Sequence, residues 1–395
     1  MTGCLWLRWA SRDKLRLRNF CEPRARGARK AASLVENKPS ISLAAFAGKC
    51  VLITGAGGFI GSALCGALAA ASPRFLVLLD ASEHNLHELT IALNEQTRVS
   101  YAAVLGDVCD IALLREILER YRPEVIFHAA ACKHVPLMEQ NPLAAMRTNA
   151  IGTWRLLRAV VQRSTAAVRT APVTQLMLLS TDKAVKPASV MGATKRVAEL
   201  TLERMSSEGI ALQTVRLGNV LGSHGSVAPL FADQIARGVP VTVTHPEAER
   251  YFFSLDEGVE LIFGAAALET GTFIPKLPTP LKIVELAEGM IREAGDARSR
   301  EVRVQFTELR PGDKLREEFL NDGELGEVTG DPRLLRVRGP QMDAEQFDTL
   351  MSLLDDAVAN RRLARAMEIL QQLVPDYRPS QTLRELLHQA SVAKT

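Results

Sequence analysis

The chain has 395 residues, 47% apolar and 24% charged. These are globular proportions, which exclude a fibrous or disordered chain and predict two to three domain equivalents, or one large α/β domain with a smaller appendage. Aromatic residues are only 5%, too few for a base-stacking surface, so no nucleic-acid partner is expected.

The net charge is +3, from 48 Lys plus Arg against 45 Asp plus Glu. Nine basic residues and only two acids fall in residues 1–30, which leaves the remainder at −4. Residues 1–45 lack sustained periodicity and read as a basic tail or linker. Such a tail can touch an anionic lipid surface peripherally; it reads equally well as a disordered leader. Six cysteines (4, 21, 50, 65, 109 and 132) occur singly, which predicts a reducing, cytoplasmic setting without disulfides. Residues 51–73 carry no charge and could in length cross a bilayer. They hold five glycines, which suits a strand, a turn and a helix start better, so no transmembrane span is predicted.

From residue 49 the pattern is regular. Apolar runs at 50–54, 75–79, 101–105, 124–128, 175–179 and 211–217 predict strands. Helical stretches fall between them near 59–71, 84–95, 110–120, 141–163 and 191–207. This alternation predicts βαβ units and a doubly wound parallel sheet covered on both faces, a Rossmann-type α/β fold.

The first strand runs into Gly55-Ala56-Gly57-Gly58-Phe59-Ile60-Gly61. A glycine turn after a strand and before a helix lets the backbone approach a pyrophosphate at a helix N-terminus. Gly55, Gly58, Phe59, Ile60 and Gly61 are therefore assigned to a dinucleotide. Asp80 ends the second strand, where an acid accepts from the ribose hydroxyls of NAD and repels a 2′-phosphate; a solvated strand-end acid is the bland alternative. Asp107 and Val108 end the third strand beside the expected adenine, with a helix N-cap as the alternative for Asp107. Ala129 and Ala130 follow the fourth strand and are small enough for a cofactor to lie close. Lys133 and His134 come next at the rim, as substrate contacts or as ordinary loop polarity.

The fifth strand ends in Ser180-Thr181-Asp182-Lys183: a hydroxyl, a carboxyl and an amine at the carboxyl end of a central strand. On the following helix Lys195 stands where many enzymes of this fold have the Lys of Tyr-x-x-x-Lys, but Met191 occupies the Tyr position. Methionine moves no proton. Either the chain is catalytically dead, or Thr181, Asp182 and Lys183 carry the proton work.

Beyond residue 218 the regularity breaks. Short helices are predicted near 256–269 and 281–294, two more within 341–373, and a last one near 380–390. The domain reading is a tail at 1–45, an NAD-binding domain at 46–218, a smaller substrate-binding part at 219–340 and a C-terminal helical extension at 341–395. Helix 141–163 carries apolar residues on more than one face (Ala150, Ile151, Trp154, Leu157, Ala159, Val160), which predicts a homo-oligomer. His84 and His87 share a helix face without a carboxylate or cysteine pattern, so no metal is expected.

The run STDKAVKPASVMGATKR at 180–196 resembles the corresponding block of the extended short-chain dehydrogenase/reductases that act as UDP-N-acetylglucosamine 4,6-dehydratases, in their polysaccharide-biosynthesis branch. HAAACKHVPLMEQNP (128–142), VRLGNVLGSHGSVAPLF (215–231), VTVTHPEAERYFFSLDEGV (241–259), LRPGDKLREE (309–318) and LVPDYRP (373–379) are similar to that branch in the same order. Met at the Tyr position is usual there, which argues against a dead enzyme. The membrane helices of larger relatives are not matched, and PGDKL stands for the usual PGEKL.

The resemblance implies NAD, a UDP-sugar substrate and an internal redox elimination yielding a UDP-4-keto-6-deoxy-N-acetylhexosamine. It implies Lys183 as the base at C5, Asp182 as the acid for the C6 hydroxyl, Thr181 with Asp182 for the C4 hydroxyl proton, and Lys195 on the nicotinamide ribose. A base role for Lys183 calls for a neutral amine, its pKa depressed by burial or a neighbouring cation. Asn219 is expected on the pyrophosphate or sugar, and Arg250 and Arg310 on the diphosphate. The rival readings are a 4-epimerase, a dehydratase coupled to 5-epimerisation, and a non-catalytic NAD-binding regulator.

Overall fold

The structure is a computed structural model that describes residues 41–165, 173–205, 209–223, 225–276, 279–294, 301–340 and 343–392. Residues 1–40 of the basic tail lie outside them. The end of that segment is folded: α1 (Ile41–Ala44) leads to Phe46, which is buried against Phe127 with ring centroids 5.5 Å apart.

Strands and helices then alternate: β1 (Cys50–Thr54), α2 (Phe59–Ala70), β2 (Phe75–Asp80), α3 (Glu83–Gln96), β3 (Tyr101–Leu105), α4 (Ile111–Tyr121) and β4 (Val125–His128). The segment 51–73 is thus β1, the glycine turn and α2, and no helix among the described residues is long and apolar enough to cross a membrane. After β4 come α5 (Val135–Gln140), α6 (Pro142–Ala145), α7 (Gly152–Thr165), β5 (Gln175–Thr181), α8 (Val190–Arg204) and β6 (Ala211–Leu217). Side-chain oxygens hold the helix starts: Ser82 accepts from Asn85 N, Asp110 from Ala112 N and Leu113 N, and Ser189 from Gly192 N. Each satisfies an amide that the first turn leaves unpaired.

β1 to β6 pair in parallel in the order β3-β2-β1-β4-β5-β6. Alternate residues of each strand feed two cores. Val51, Ile53, Leu76, Leu78 and Phe127 face α2, while Leu52, Val77, Leu79, Ile126 and Leu178 face α4 and α7. Burial on both faces explains the near-continuous apolar runs.

The remaining chain forms β7 (Asn219–Val220), α9 (Val227–Ala236), β8 (Val241–Val243), β9 (Glu249–Arg250), β10 (Phe252–Phe253), α10 (Leu255–Ala266), β11 (Gly271–Pro275), β12 (Leu281–Lys282), α11 (Ile283–Ala294), β13 (Val304–Phe306), β14 (Leu325–Val328) and β15 (Leu334–Arg338). Three helices close it: α12 (Ala344–Ala359), α13 (Leu363–Leu373) and α14 (Gln381–Val392). The expected doubly wound parallel sheet is present and is extended at one edge. β11 adds beside β6 in parallel, and β15 and β14 continue antiparallel, giving nine strands. The region beyond residue 218 is therefore partly built into the main sheet. Its own small core joins α9, α11, β8 and β13.

The single helix expected at 141–163 is corrected. Residues Met146–Ile151 form a π turn between α6 and α7, in which Gly152 N donates to Arg147 O. Cys109 Sγ donates to the same carbonyl at 3.1 Å. An extra residue in the turn is the usual form of such a bulge. The apolar residues that suggested an oligomer are used within the chain. Ala150, Ile151 and Trp154 lie in one core with Phe347, Leu350, Met351 and Leu354 of α12, and Leu157, Ala159 and Val160 face the sheet. Trp154 Nε1 donates to Asp348 at 3.2 Å, and Arg155 grips Asp355 through two bonds of 2.8 and 2.9 Å.

Candidate active site

The glycine turn is forced by its surroundings. Gly55 has φ +67, and a Cβ there would lie 2.6 Å from Ala130 N. A Cβ on Gly61 would lie 2.0 Å from Gly55 O. Ala129 and Ala130 therefore form the floor on which the turn rests, and Phe59 and Ile60 open α2 beyond it. Asp80 fixes the turn from the side: its Oδ2 accepts from Gly57 N and its Oδ1 from Ser82 N, both at 2.8 Å. This half-open cradle sits between β1 and β4, where the strand order reverses and where doubly wound sheets bind nucleotides. Asp107 is not the helix N-cap, a role taken by Asp110; its oxygens hold Cys109 N at 2.8 Å and Arg147 at 2.8 Å. Val108 is buried beside it.

Beneath the cradle, His128 bridges Thr54 (2.6 Å) and Thr153 (2.8 Å). Burial and the nearby Lys195 push its pKa down to about 3, so it stays neutral. Lys195 donates to Leu179 O at 2.7 Å, and burial, partly offset by Glu199, lowers its pKa to about 8. Met191 is buried in the apolar core that α8 shares with α12 and α13.

At the end of β5, a turn at Asp182–Ala184 brings three groups together. Thr181 Oγ1 donates to Asp182 Oδ1 at 2.9 Å, and Lys183 Nζ donates to the same oxygen at 2.9 Å. Asp182 is fully buried, and its Oδ2 has no hydrogen-bond partner. Burial raises the Asp182 pKa despite Lys183, and Glu317 adds to the rise. A buried carboxyl with one free oxygen and a raised pKa is built to hold a proton.

Lys183 is held charged. Burial would lower its pKa, but Asp182 and Glu317 outweigh burial and raise it. Its Nζ also donates to Asn219 Oδ1 at 2.9 Å and stands 3.6 Å from Glu317 Oε1. The resting side chain is an ammonium, whereas a base role calls for the neutral amine. Asn219, expected on the diphosphate or sugar, presents its amide oxygen to Lys183.

Arg250 has a structural task. Its guanidinium donates to Glu249 O (2.7 Å), Leu315 O (3.2 Å) and Lys314 O (2.7 Å). It clamps the 309–318 segment and spends three of its five N–H donors on these carbonyls. Arg310 is 54% exposed and paired with Asp313 at 2.8 Å, so it retains an open side. Lys133 and His134 lie exposed on the loop before α5. The His134 ring abuts Gly225, where a Cβ would lie 2.5 Å from Cε1.

Two groups escaped sequence reading. Glu317 enters the site from a segment whose motif was visible but whose path was not. Glu199, one helical turn beyond Lys195, accepts from Ser180 Oγ at 2.6 Å and holds the buried Arg216. Only an acid at i+4 from a functional lysine could have signalled it.

The cradle and strand order define a doubly wound, Rossmann-type nucleotide-binding fold. More narrowly, the chain belongs to the family described as polysaccharide biosynthesis protein, which matches residues 51–338. It is 40% identical over 283 residues to the capsular polysaccharide biosynthesis protein CapD of Staphylococcus aureus, covering 70% of this chain and 46% of that protein. The chain thus spans about half the length of the curated relatives it matches. Among solved structures, Pen from Bacillus thuringiensis superposes with a TM-score of 0.66 at 27% identity, covering 79% of this chain and 98% of that one. DesIV of Streptomyces venezuelae, a dTDP-glucose 4,6-dehydratase with NAD bound, shares the fold at a TM-score of 0.56 and 23% identity, over 69% of this chain and 88% of its own.

Proposed function

We propose that the chain is an NAD-dependent nucleotide-sugar dehydratase that converts UDP-N-acetylglucosamine to a UDP-4-keto-6-deoxy-N-acetylhexosamine with loss of water. The observation that carries this reading is the buried Asp182 with its unpartnered oxygen, set beside Lys183 at the carboxyl end of β5 where Met191 replaces a phenol. A plain 4-epimerase needs no acid for a leaving hydroxyl.

NAD fits the cradle: Gly55 and Gly61 let the turn fold tightly against Ala130 and itself where a Cβ would clash, and an acid at Asp80, the end of β2, favours ribose hydroxyls over a 2′-phosphate. When bound, it supplies reversible hydride acceptance, at C4 first and back to C6 later. With Lys183 in its neutral form and Asp182 ionised, Asp182 receives the C4 hydroxyl proton through Thr181. The C4 ketone acidifies C5–H and Lys183 takes that proton; Asp182 passes its proton to the departing C6 oxygen, which leaves as water; and as hydride returns to C6, Lys183 gives its proton back to C5. Lys195 binds the nicotinamide ribose and supplies positive potential. Arg310, exposed beyond its pairing with Asp313, is the guanidinium for the diphosphate.

Incubation with UDP-N-acetylglucosamine and NAD, followed by product NMR, tests this reading. The expected product is the 4-keto-6-deoxy sugar with retention at C5. Inversion at C5 would indicate coupled epimerisation. A product changed only at C4 would identify an epimerase, and NAD binding without turnover a regulator; either would overturn the proposal.

A further inference from the structure

Lys183 Nζ has three N–H bonds and three acceptors around it: Asp182 Oδ1 and Asn219 Oδ1, each at 2.9 Å, and Glu317 Oε1 at 3.6 Å. Asp182 is adjacent in sequence, and Asn219 belongs to β7. Glu317 comes from the strap 309–318 that crosses the site. Its side chain is 2% exposed, a position carboxylates avoid unless paired.

The strap is pinned so that Glu317 stays there. Arg250 on β9 binds the carbonyls of Lys314 and Leu315. Lys314 Nζ donates to Val185 O at 2.6 Å, two residues beyond Lys183, and stands 3.1 Å from Glu317 Oε2. Arg250 Nε lies 3.8 Å from Glu317 Oε1. The charged groups around Lys183 are therefore Asp182 from its own turn, Glu317 and Lys314 from the strap, and Arg250 from β9, with the neutral Asn219 from β7. Tyr251, next to Arg250, lines the adjoining cleft with Glu317. Burial and Glu317 favour a protonated Asp182, whereas the cations keep Glu317 ionised despite burial. Glu317 thus adds its negative charge to that of Asp182 in raising the Lys183 pKa.

We propose that Glu317 is a positioning residue that sets the charge of Lys183, and so the pH at which Lys183 becomes a base toward C5. This inference rests on the dehydratase reading above. Glu317 need not touch the sugar; it acts through the lysine. Removing its charge leaves Lys183 with Asp182 as its one neighbouring carboxyl and Arg250 opposing it, so the amine is neutral over a wider pH range.

The test is the pH profile of deuterium exchange at C5 in the NAD-loaded protein with UDP-N-acetylglucosamine. In Glu317→Gln, which preserves volume, the acid limb is expected to move down by about one pH unit, the low end for loss of an opposite charge at this distance. A purely structural role would lower the rate without moving the limb. Glu317→Asp keeps the charge but withdraws it by one methylene, and is expected to move the limb less in the same direction. Should Glu317→Gln fail to fold, the aspartate variant decides alone, and an unmoved limb there overturns the proposal. Lys183→Met separates the two levels of inference. Exchange lost in Lys183→Met with an unmoved limb in Glu317→Gln overturns the role of Glu317 alone. Exchange at the parent rate in Lys183→Met overturns the base reading and this proposal with it.

Discussion

Arg216 and Glu199 form an ion pair from which water is wholly excluded: Nη2 and Oε2 are 2.9 Å apart, and both side chains are 0% exposed. Arg216 also binds Glu324 at 2.6 Å. The pair thereby joins β6, α8 and the loop after the strap, and through Ser180 it reaches the residue before Thr181. Glu199→Gln leaves a buried guanidinium short of one counter-charge. The expected cost is about 3–5 kcal/mol of stability, the usual result of breaking a buried pair. Urea unfolding measures it, and a loss below about 1 kcal/mol, the scale of an exposed pair, would show that the pair is not what holds these elements.

Glu324 gives acid stability a predictable shape. Burial would raise its pKa, but its bonds to Arg216 and to Asn321 bring it down to about 2 from 4.5. A lowered carboxyl pKa contributes stability that is complete above the unfolded value and lost as pH falls through the folded one. Stability should therefore decline between about pH 4.5 and pH 2. Glu324→Gln should be less stable at neutral pH but should lack this component of the slope. Urea midpoints at several pH values compare the two proteins, and equal slopes would rule the coupling out.

Asp182→Asn and Lys183→Met should each slow 4-keto product formation by about 10²–10⁴-fold, the usual contribution of a general acid or base. NAD affinity should be nearly unchanged, because neither residue lies in the glycine cradle. Single-turnover assays and cofactor titration read the two effects separately. Parent-rate elimination in Asp182→Asn would remove it as the C6 acid.

Two glycines in the same region should respond with opposite sign. Gly55→Ala forces a Cβ to within 2.6 Å of Ala130 N at a φ of +67, so NAD binding should be lost. At Gly66, inside α2, an added Cβ would meet nothing within 4 Å. Gly66→Ala should stabilise by roughly 0.5–1 kcal/mol through helix propensity. Thermal melts and NAD titration on both variants make the comparison. An alanine at 55 that binds NAD normally would show that the turn is looser than its contacts require.

Phe347 tests the cover that α12 provides. It is 0% exposed and lies in one core with Trp154 and Met191. Phe347→Ala should cost about 3–5 kcal/mol, by lost burial and the cavity left behind. Denaturant unfolding reads this, and a near-neutral result would mean that α12 is only loosely seated.

Much of the framework was legible because it rests on local patterns. The runs CVLIT and FLVLL are apolar throughout because both sheet faces are covered. The glycine turn and the Asp182–Lys183 pair each lie within one short run. β11 and β14 were missed because GTFIP and LGEV contain glycine or proline and no long apolar stretch, and β15 because arginines interrupt LLRVR. The π turn left no mark, since MRTNAI fits an ordinary helix equally well. In the site, the chain was least legible where chemistry depends on distant partners. Arg250 has the charge for a phosphate, yet three of its five donors go to carbonyls brought in by the strap and by its own strand. The charge on Lys183 was not legible, because Glu317 adds to Asp182 beside it only through the tertiary path of that strap.

The position of β11 also governs how the molecule can move. It is hydrogen-bonded to β6 on one side and to β15 on the other. The nucleotide-binding strands and the strands beyond residue 218 that join them consequently share one continuous backbone ladder. A hinge between β6 and β11 would have to tear that ladder, at the cost of several hydrogen bonds left unmade. Movement that leaves the sheet intact falls to what is mounted outside it, such as the small core of α9, α11, β8 and β13.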